Sequence, residues 1–168
     1  MPEIARAAEV SEVTAYRHFP DLPSLISEAL AGARPPPADA LGPVAHSWDP
    51  VERVAFAREF LLRGILVRQG AVRAVIAATI TRPRSPSGRP GIRFGLIDHA
   101  LATLQGTLGA TDPGAFAQLE WDLAVTVSAE ALFSLTDVCG LTPDEAVDSA
   151  VRTATTLTEA AVRAGTHE

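Results

Sequence analysis

Prolines and glycines are clustered along this chain, and the clusters dictate where regular structure can run. Gly32, Pro35-Pro36-Pro37, Gly42-Pro43 and Asp49-Pro50 follow one another closely. Proline has no amide donor and its ring clashes with the preceding turn, so no regular helix crosses this stretch. Residues 1–32 are thereby set off as a head, 33–49 as a proline-rich linker, and 50–168 as a body. A second cluster from Thr81 to Gly91 reads as a loop, and further stops fall at Gly109 to Pro113 and at Gly140 to Pro143.

Between the stops, apolar residues recur at intervals of three and four, and the β-branched alternation of strands is scarce. Helices are expected over 50–69, 71–79, 92–106, 113–139 and from 142 to about 164. Asp49 and Pro50 open the first as N-cap and first helical residue, with Val54, Ala57, Phe60 or Leu61, Ile65 and Arg68 along its repeat. Thr142, Pro143 and Glu145 open the last in the same way, with Glu145 placed to complete a capping box. The fold class is all-α, and the hydrophobic content of 47% is enough to fill a core.

The last two helices each carry one apolar seam: Phe116, Leu119, Leu123, Val127, Ala131 and Leu135 on one, Val147, Ala150, Ala154, Leu157 and Ala161 on the other. Two such helices from each of two subunits can close a four-helix bundle, which points to a homodimer through 113–139 and 142–164. Alternatively, both seams cover the core of the monomer.

Charge is unevenly placed. Residues 1–34 hold three arginines against five acids, 35–100 nine against five, and 101–168 two against ten. Phosphate contact needs local positive potential, so the C-terminal third is the part least suited to face nucleic acid. One cysteine, Cys139, excludes an intrachain disulfide, and four scattered histidines show no metal-ligand spacing. With no signal-peptide pattern and no apolar run of about 20 residues, a cytoplasmic protein is expected. Arg53, Arg58, Arg63, Arg68 and Arg73 recur every five residues, an advance of about 140° per step around a helix. They therefore spiral instead of forming a stripe, and are read as a mixture of solvated charges and ion pairs.

The segment with most chemical information runs from Ile4 to Pro20. It reads as a short helix ending at Ala8, a turn through Glu9 and Val10, and a second helix capped by Ser11. Ala5 and Ala8 allow two helices to cross closely, with Ile4, Val10 and Ala15 between them. These are the requirements of a helix-turn-helix, whose second helix enters the DNA major groove.

Ile4-Ala5 through Val10-Ser11, followed by Thr14-Ala15-Tyr16-Arg17-His18-Phe19-Pro20, resembles the signature of the TetR family of transcriptional regulators, and Leu25, Ile26, Ala29 and Leu30 extend the likeness. The resemblance implies a dimeric, small-molecule-responsive DNA-binding repressor that is not an enzyme and needs no cofactor. Its partners would be a double-stranded operator, an unidentified effector and a second copy of the chain. Ser11 and Thr14 would contact phosphate or cap the helix, Glu12, Val13 and Arg17 would border the groove, and Tyr16 and His18 would reach the backbone or a base. Phe19 would be core. Each has a purely structural reading as well: Tyr16 as packing, Arg17 as a solvated charge, Glu12 as a partner of the helix dipole.

The sequence departs from the family at several points. Glu9 occupies the turn position usually held by glycine, where a left-handed conformation costs about 1 kcal/mol. Ala15 stands for a larger apolar residue, and Leu22 for a lysine. The family also places a helix ahead of this motif, so the expectation is a gene start assigned too far downstream, with a decayed regulator as the alternative. For the body, the resemblance implies an effector cavity lined from Phe56, Phe60, Phe94, His99 and Trp121, aromatics that fit an ordinary core as well.

Two other functions compete. A body that binds ligand and dimerises without a competent head would act as a sensor or a dominant-negative partner. A small helical enzyme is the other, but the chain holds no nucleophile elbow, Walker lysine or paired metal-ligand helix.

Overall fold

The computed structural model describes residues 1–80 and 92–165, the side chains of 92–94 excepted; it is all-helical, with no strand among the described residues. The loop expected over 81–91 lies outside them. The chain divides into two compact units, Met1–Arg34 with Gln69–Pro90, and Pro35–Arg68 with Gly91–Glu168.

The first unit contains α1 (Pro2–Ala7), α2 (Glu12–His18), α3 (Leu22–Gly32) and α6 (Gln69–Ile80). α1 packs on α2, and α3 packs on α6. Asp21 starts α3 by accepting the Ser24 amide at 2.8 Å, with Pro23 in the first turn where no amide is needed. Pairing of α3 with α6 joins segments separated by the whole of 35–68, a long-range contact that local periodicity does not encode.

The second unit holds α4 (Pro37–Ala40), α5 (Pro50–Val67), α7 (Ile92–Ala100), α8 (Leu108–Thr111), α9 (Pro113–Thr126), α10 (Ala129–Phe133) and α11 (Pro143–Gly165). Its central pairing is α5 with α11, flanked by α7 and α9. The Arg63 to Asp144 ion pair joins the C-terminal part of α5 to the first turn of α11, so α11 runs back along α5. Leu62, Leu101, Leu123, Leu132 and Val147 are fully enclosed here.

The expected caps form. Asp49 accepts the Val51 amide at 2.8 Å, and Thr142 and Glu145 exchange bonds as a capping box, Thr142 N–H to Glu145 Oε2 at 2.9 Å and Glu145 N–H to Thr142 Oγ1 at 3.3 Å. The Thr142 hydroxyl, donating to Glu145 Oε2 at 2.7 Å, and then the Thr142 amide hold the Glu145 carboxyl below its ordinary range.

Two expected helices are shorter than their sequence pattern. The single helix over 113–139 is broken at Val127 and Ser128: Ser128 turns extended, with φ −141° and ψ 156°, and its hydroxyl caps α10 by accepting the Ala131 amide at 3.1 Å. The chain then passes through a π-helical turn, Ser134–Val138. The helix expected over 92–106 ends as α-helix at Ala100 and tightens to a 3₁₀ turn at Leu101–Leu104. There Arg53 takes the carbonyls that α7 leaves open: its Nη2 donates to His99 O at 2.6 Å and its Nε to Ala100 O at 3.0 Å.

Both apolar seams of the last helices are used inside this unit. Leu119, Leu123 and Val127 are buried, as are Val147, Ala150 and Ala154. No helix among the described residues is long and apolar enough to cross a membrane.

Candidate functional site

The site is built on the turn between α1 and α2. Glu9 has φ 54°, the left-handed region disfavoured by a side chain with a Cβ. The Glu9 amide donates to Arg6 O at 3.1 Å and the Val10 amide to Ala5 O at 3.0 Å. Together these bonds form a Schellman closure, which satisfies the last carbonyls of α1 and reverses the chain within a few residues. Ser11, extended at φ −70° and ψ 152°, then starts α2. Its Oγ accepts the Thr14 amide at 3.1 Å and lies 2.8 Å from Thr14 Oγ1. Glu12 in the first turn and Arg17 and His18 in the last complement the helix dipole.

Ala15 is the buried residue of α2, and Ala5 is its counterpart on α1. Two methyl groups at the crossing let the backbones approach closely. Ser11, Glu12, Val13, Thr14, Tyr16, Arg17 and His18 are all exposed, with Val13 at 80% and Tyr16 at 50%. The residues proposed from the sequence to face DNA are thus all accessible, at the N-cap and around every side of α2 but that of Ala15. Phe19, expected in the core, is half-buried, because the first unit encloses little around it.

Among the described side chains, the unit that carries this helix has four arginines and five acids, and the other has six arginines and fourteen acids. The N-terminal block is acidic when counted alone, and Arg73 on α6 adds one cation to the same unit. No protein-family model matches the chain, and neither a curated protein nor a solved structure is significantly similar to it.

In the second unit, the aromatics expected to line a cavity are not gathered in an enclosed cluster. Trp121 is 61% exposed and Phe60 38%, while Phe56 and His99 are half-buried. The Phe94 side chain lies outside the described residues. His99 contributes its carbonyl to Arg53. Glu120 on α9 has its carboxyl raised above the ordinary range, by burial first and by the charge of Asp98 second.

The arginines of α5 behave differently from the expected mixture of solvated charges and ion pairs. Arg63 does pair, with Asp144 and Glu59, and Arg68 is exposed at the helix end instead of joining the apolar repeat. Arg53 and Arg58 are buried, 5% and 1% exposed. Arg53 is satisfied by main-chain carbonyls: besides those of α7, its Nη1 donates to Val44 O at 3.1 Å. Arg58 has no such compensation, since its Nε and Nη1 lie buried without a hydrogen-bond partner. Burial pushes its pKa down to about 10. A signal for this residue was present in the sequence: Val54, Arg58, Leu61 and Ile65 follow at four, three and four, which puts one arginine inside the apolar stripe.

Proposed function

We propose that the chain is a DNA-binding transcriptional regulator of TetR type, a small-molecule-responsive repressor acting as a cytoplasmic homodimer. The observation that carries this reading is α2 itself. A capped helix, set behind a sharp left-handed turn, presents Ser11, Glu12, Val13, Thr14, Tyr16, Arg17 and His18 to solvent and keeps only Ala15 inside. An exposed Val13 has no packing role in its own unit, and apolar contact with a thymine methyl is one use for such a side chain. Thr14, Tyr16 and Arg17 supply the hydroxyls and the cation suited to phosphate.

The body is the effector-binding and dimerising part in this reading. Trp121 and Val125, one turn apart on α9 and 61% and 73% exposed, supply apolar surface for a second copy to cover. Effector binding would shift the population between dimer geometries through its different affinity for each.

Selection from a random duplex library on the immobilised chain tests the proposal. The expected product is an inverted repeat whose half-sites lie about one helical turn apart. Enrichment of no sequence would favour the second reading, a ligand-binding, dimerising body whose head does not bind DNA. That reading draws on the sparse interior of the first unit, whose buried apolar residues among those described are Ala5, Ala15 and Val72.

A further inference from the structure

A cation inside a helical bundle is costly unless it is paired. Moving a guanidinium from water into the interior loses hydration worth several kcal/mol, and only good hydrogen bonds or a counter-charge recover it. Arg53 shows how this chain does so, by placing its guanidinium among carbonyls of Val44, His99 and Ala100. Arg58, five residues along the same helix and more deeply buried, has neither remedy. Its Nε and Nη1 have no partner, and no neighbouring carboxylate acts on its ionisation, which burial alone displaces. Thr103, on the 3₁₀ turn packed against α5, is the other described residue with a buried side-chain polar atom left unpartnered, its Oγ1.

We propose that Arg58 is the recognition group of a site for an apolar monocarboxylic acid within the helical body, its buried guanidinium donating to the ligand's carboxylate. The charge balance selects the class. Among the described arginines of α5 and its C-cap, Arg53 is committed to carbonyls, Arg63 to Asp144 and Glu59, and Arg68 lies exposed at the helix end, so Arg58 is the one buried guanidinium without a partner there, which favours a monoanion over a doubly charged phosphate. The surroundings select the rest of the molecule. Val54 and Leu61 flank Arg58 along α5, and the face that α11 buries against the core is made of Ala146, Val147, Ala150, Ala154 and Thr158, whose hydroxyl is spent on Ala154 O at 2.9 Å, so the remainder of the ligand is apolar. A carboxylate suits a guanidinium better than a single-point acceptor does, because two oxygens meet the planar fork.

The inference deepens the effector part of the proposed function and rests on it only in assigning ligand binding to the body. Its test uses no DNA, so failure here leaves the DNA reading intact, and the converse holds.

Thermal melts of the full chain with octanoate and 1-naphthoate, against octanamide and 1-naphthamide, read the site directly. A carboxylate of this set should raise Tm progressively with the logarithm of its concentration, while its amide leaves Tm unchanged. Arg58→Met should abolish that response yet melt, without ligand, at or above the parent temperature, because it removes an unpaired buried charge. Arg58→Lys should keep the charge and show a weaker response. The proposal is overturned if neither acid shifts Tm, if amide and acid act alike, if sodium chloride or sulfate at equal concentration reproduces the shift, or if Arg58→Met keeps the response. A ligand-free Arg58→Met protein that melts far below the parent would also overturn it, making Arg58 a structural residue.

Discussion

The unit formed by Pro35–Arg68 and Gly91–Glu168 encloses Leu41, Leu62, Leu101, Leu123, Leu132 and Val147 completely, whereas among the described residues of Met1–Arg34 with Gln69–Pro90 the buried apolar side chains are Ala5, Ala15 and Val72. The larger unit is held by packing of long helices. The smaller one depends more on local backbone devices: the Schellman closure at Glu9, the Ser11 cap, the Asp21 cap. Burial contributes roughly 25 cal/mol per Å² of apolar surface, so cooperative stability concentrates in the larger unit. The smaller one keeps its polar and apolar groups at the surface, where a partner can use them. Their charge differs too, since among the described residues the smaller unit is near balance and the larger strongly acidic.

The sharpest way to break this comparison is to truncate one enclosed side chain in each unit. Leu62→Ala should cost about 2–5 kcal/mol in urea unfolding, by lost transfer energy and the cavity left behind. Val72→Ala should cost no more than about 1.6 kcal/mol, two methyl groups' worth. Equal losses would mean that the smaller unit carries a core as substantial as the larger. Arg53→Met should rank next, at about 2–3 kcal/mol, because it leaves the His99, Ala100 and Val44 carbonyls buried without their charged donor. The same variant should increase amide exchange at the junction of α7 with the 3₁₀ turn.

Glu9→Gly acts on the smaller unit by another route. It relieves a left-handed residue worth about 1 kcal/mol, so hydrogen exchange at the Val10 amide should slow while the urea midpoint of the larger unit stays unchanged. The smallest effect belongs to Glu120. A carboxyl raised in the folded state binds its proton more tightly there than in the unfolded chain, so wild-type stability falls as pH rises from the ordinary carboxyl range through the raised folded value. Glu120→Gln should therefore raise Tm slightly at pH 7 and lose that advantage near pH 4. A gain of the same size at both would show that charge is not the cause.

The signals written locally in the sequence are the ones the structure reproduces most closely. Asp49-Pro50 and Thr142-Pro143 with Glu145 mark helix starts because capping needs only neighbouring residues, and the turn at Glu9 follows from a motif spanning a few positions. The break at Ser128 escaped notice because serine is tolerated inside helices and becomes a cap only when the chain turns there. The partnership of α3 with α6 depends on a long-range encounter with no local signature. Arg53 and Arg58 were hidden by the rule that arginines lie outside, although the position of Arg58 in an apolar stripe gave it away. The exposed side of α2 was legible because Ala15 is the small apolar residue among seven polar or accessible neighbours, from Ser11 to His18.

The central claim, that α2 reads DNA, is tested most directly by a fluorescence-anisotropy titration of the chain on its selected duplex at several salt concentrations, beside Val13→Ala and Tyr16→Ala. The account predicts an affinity that falls steeply and linearly in log–log form as salt rises, as expected for phosphate contacts, and a further loss in both variants with α-helical content unchanged. Wild-type binding that both variants retain in full, or no binding by any of the three at low salt, would contradict it.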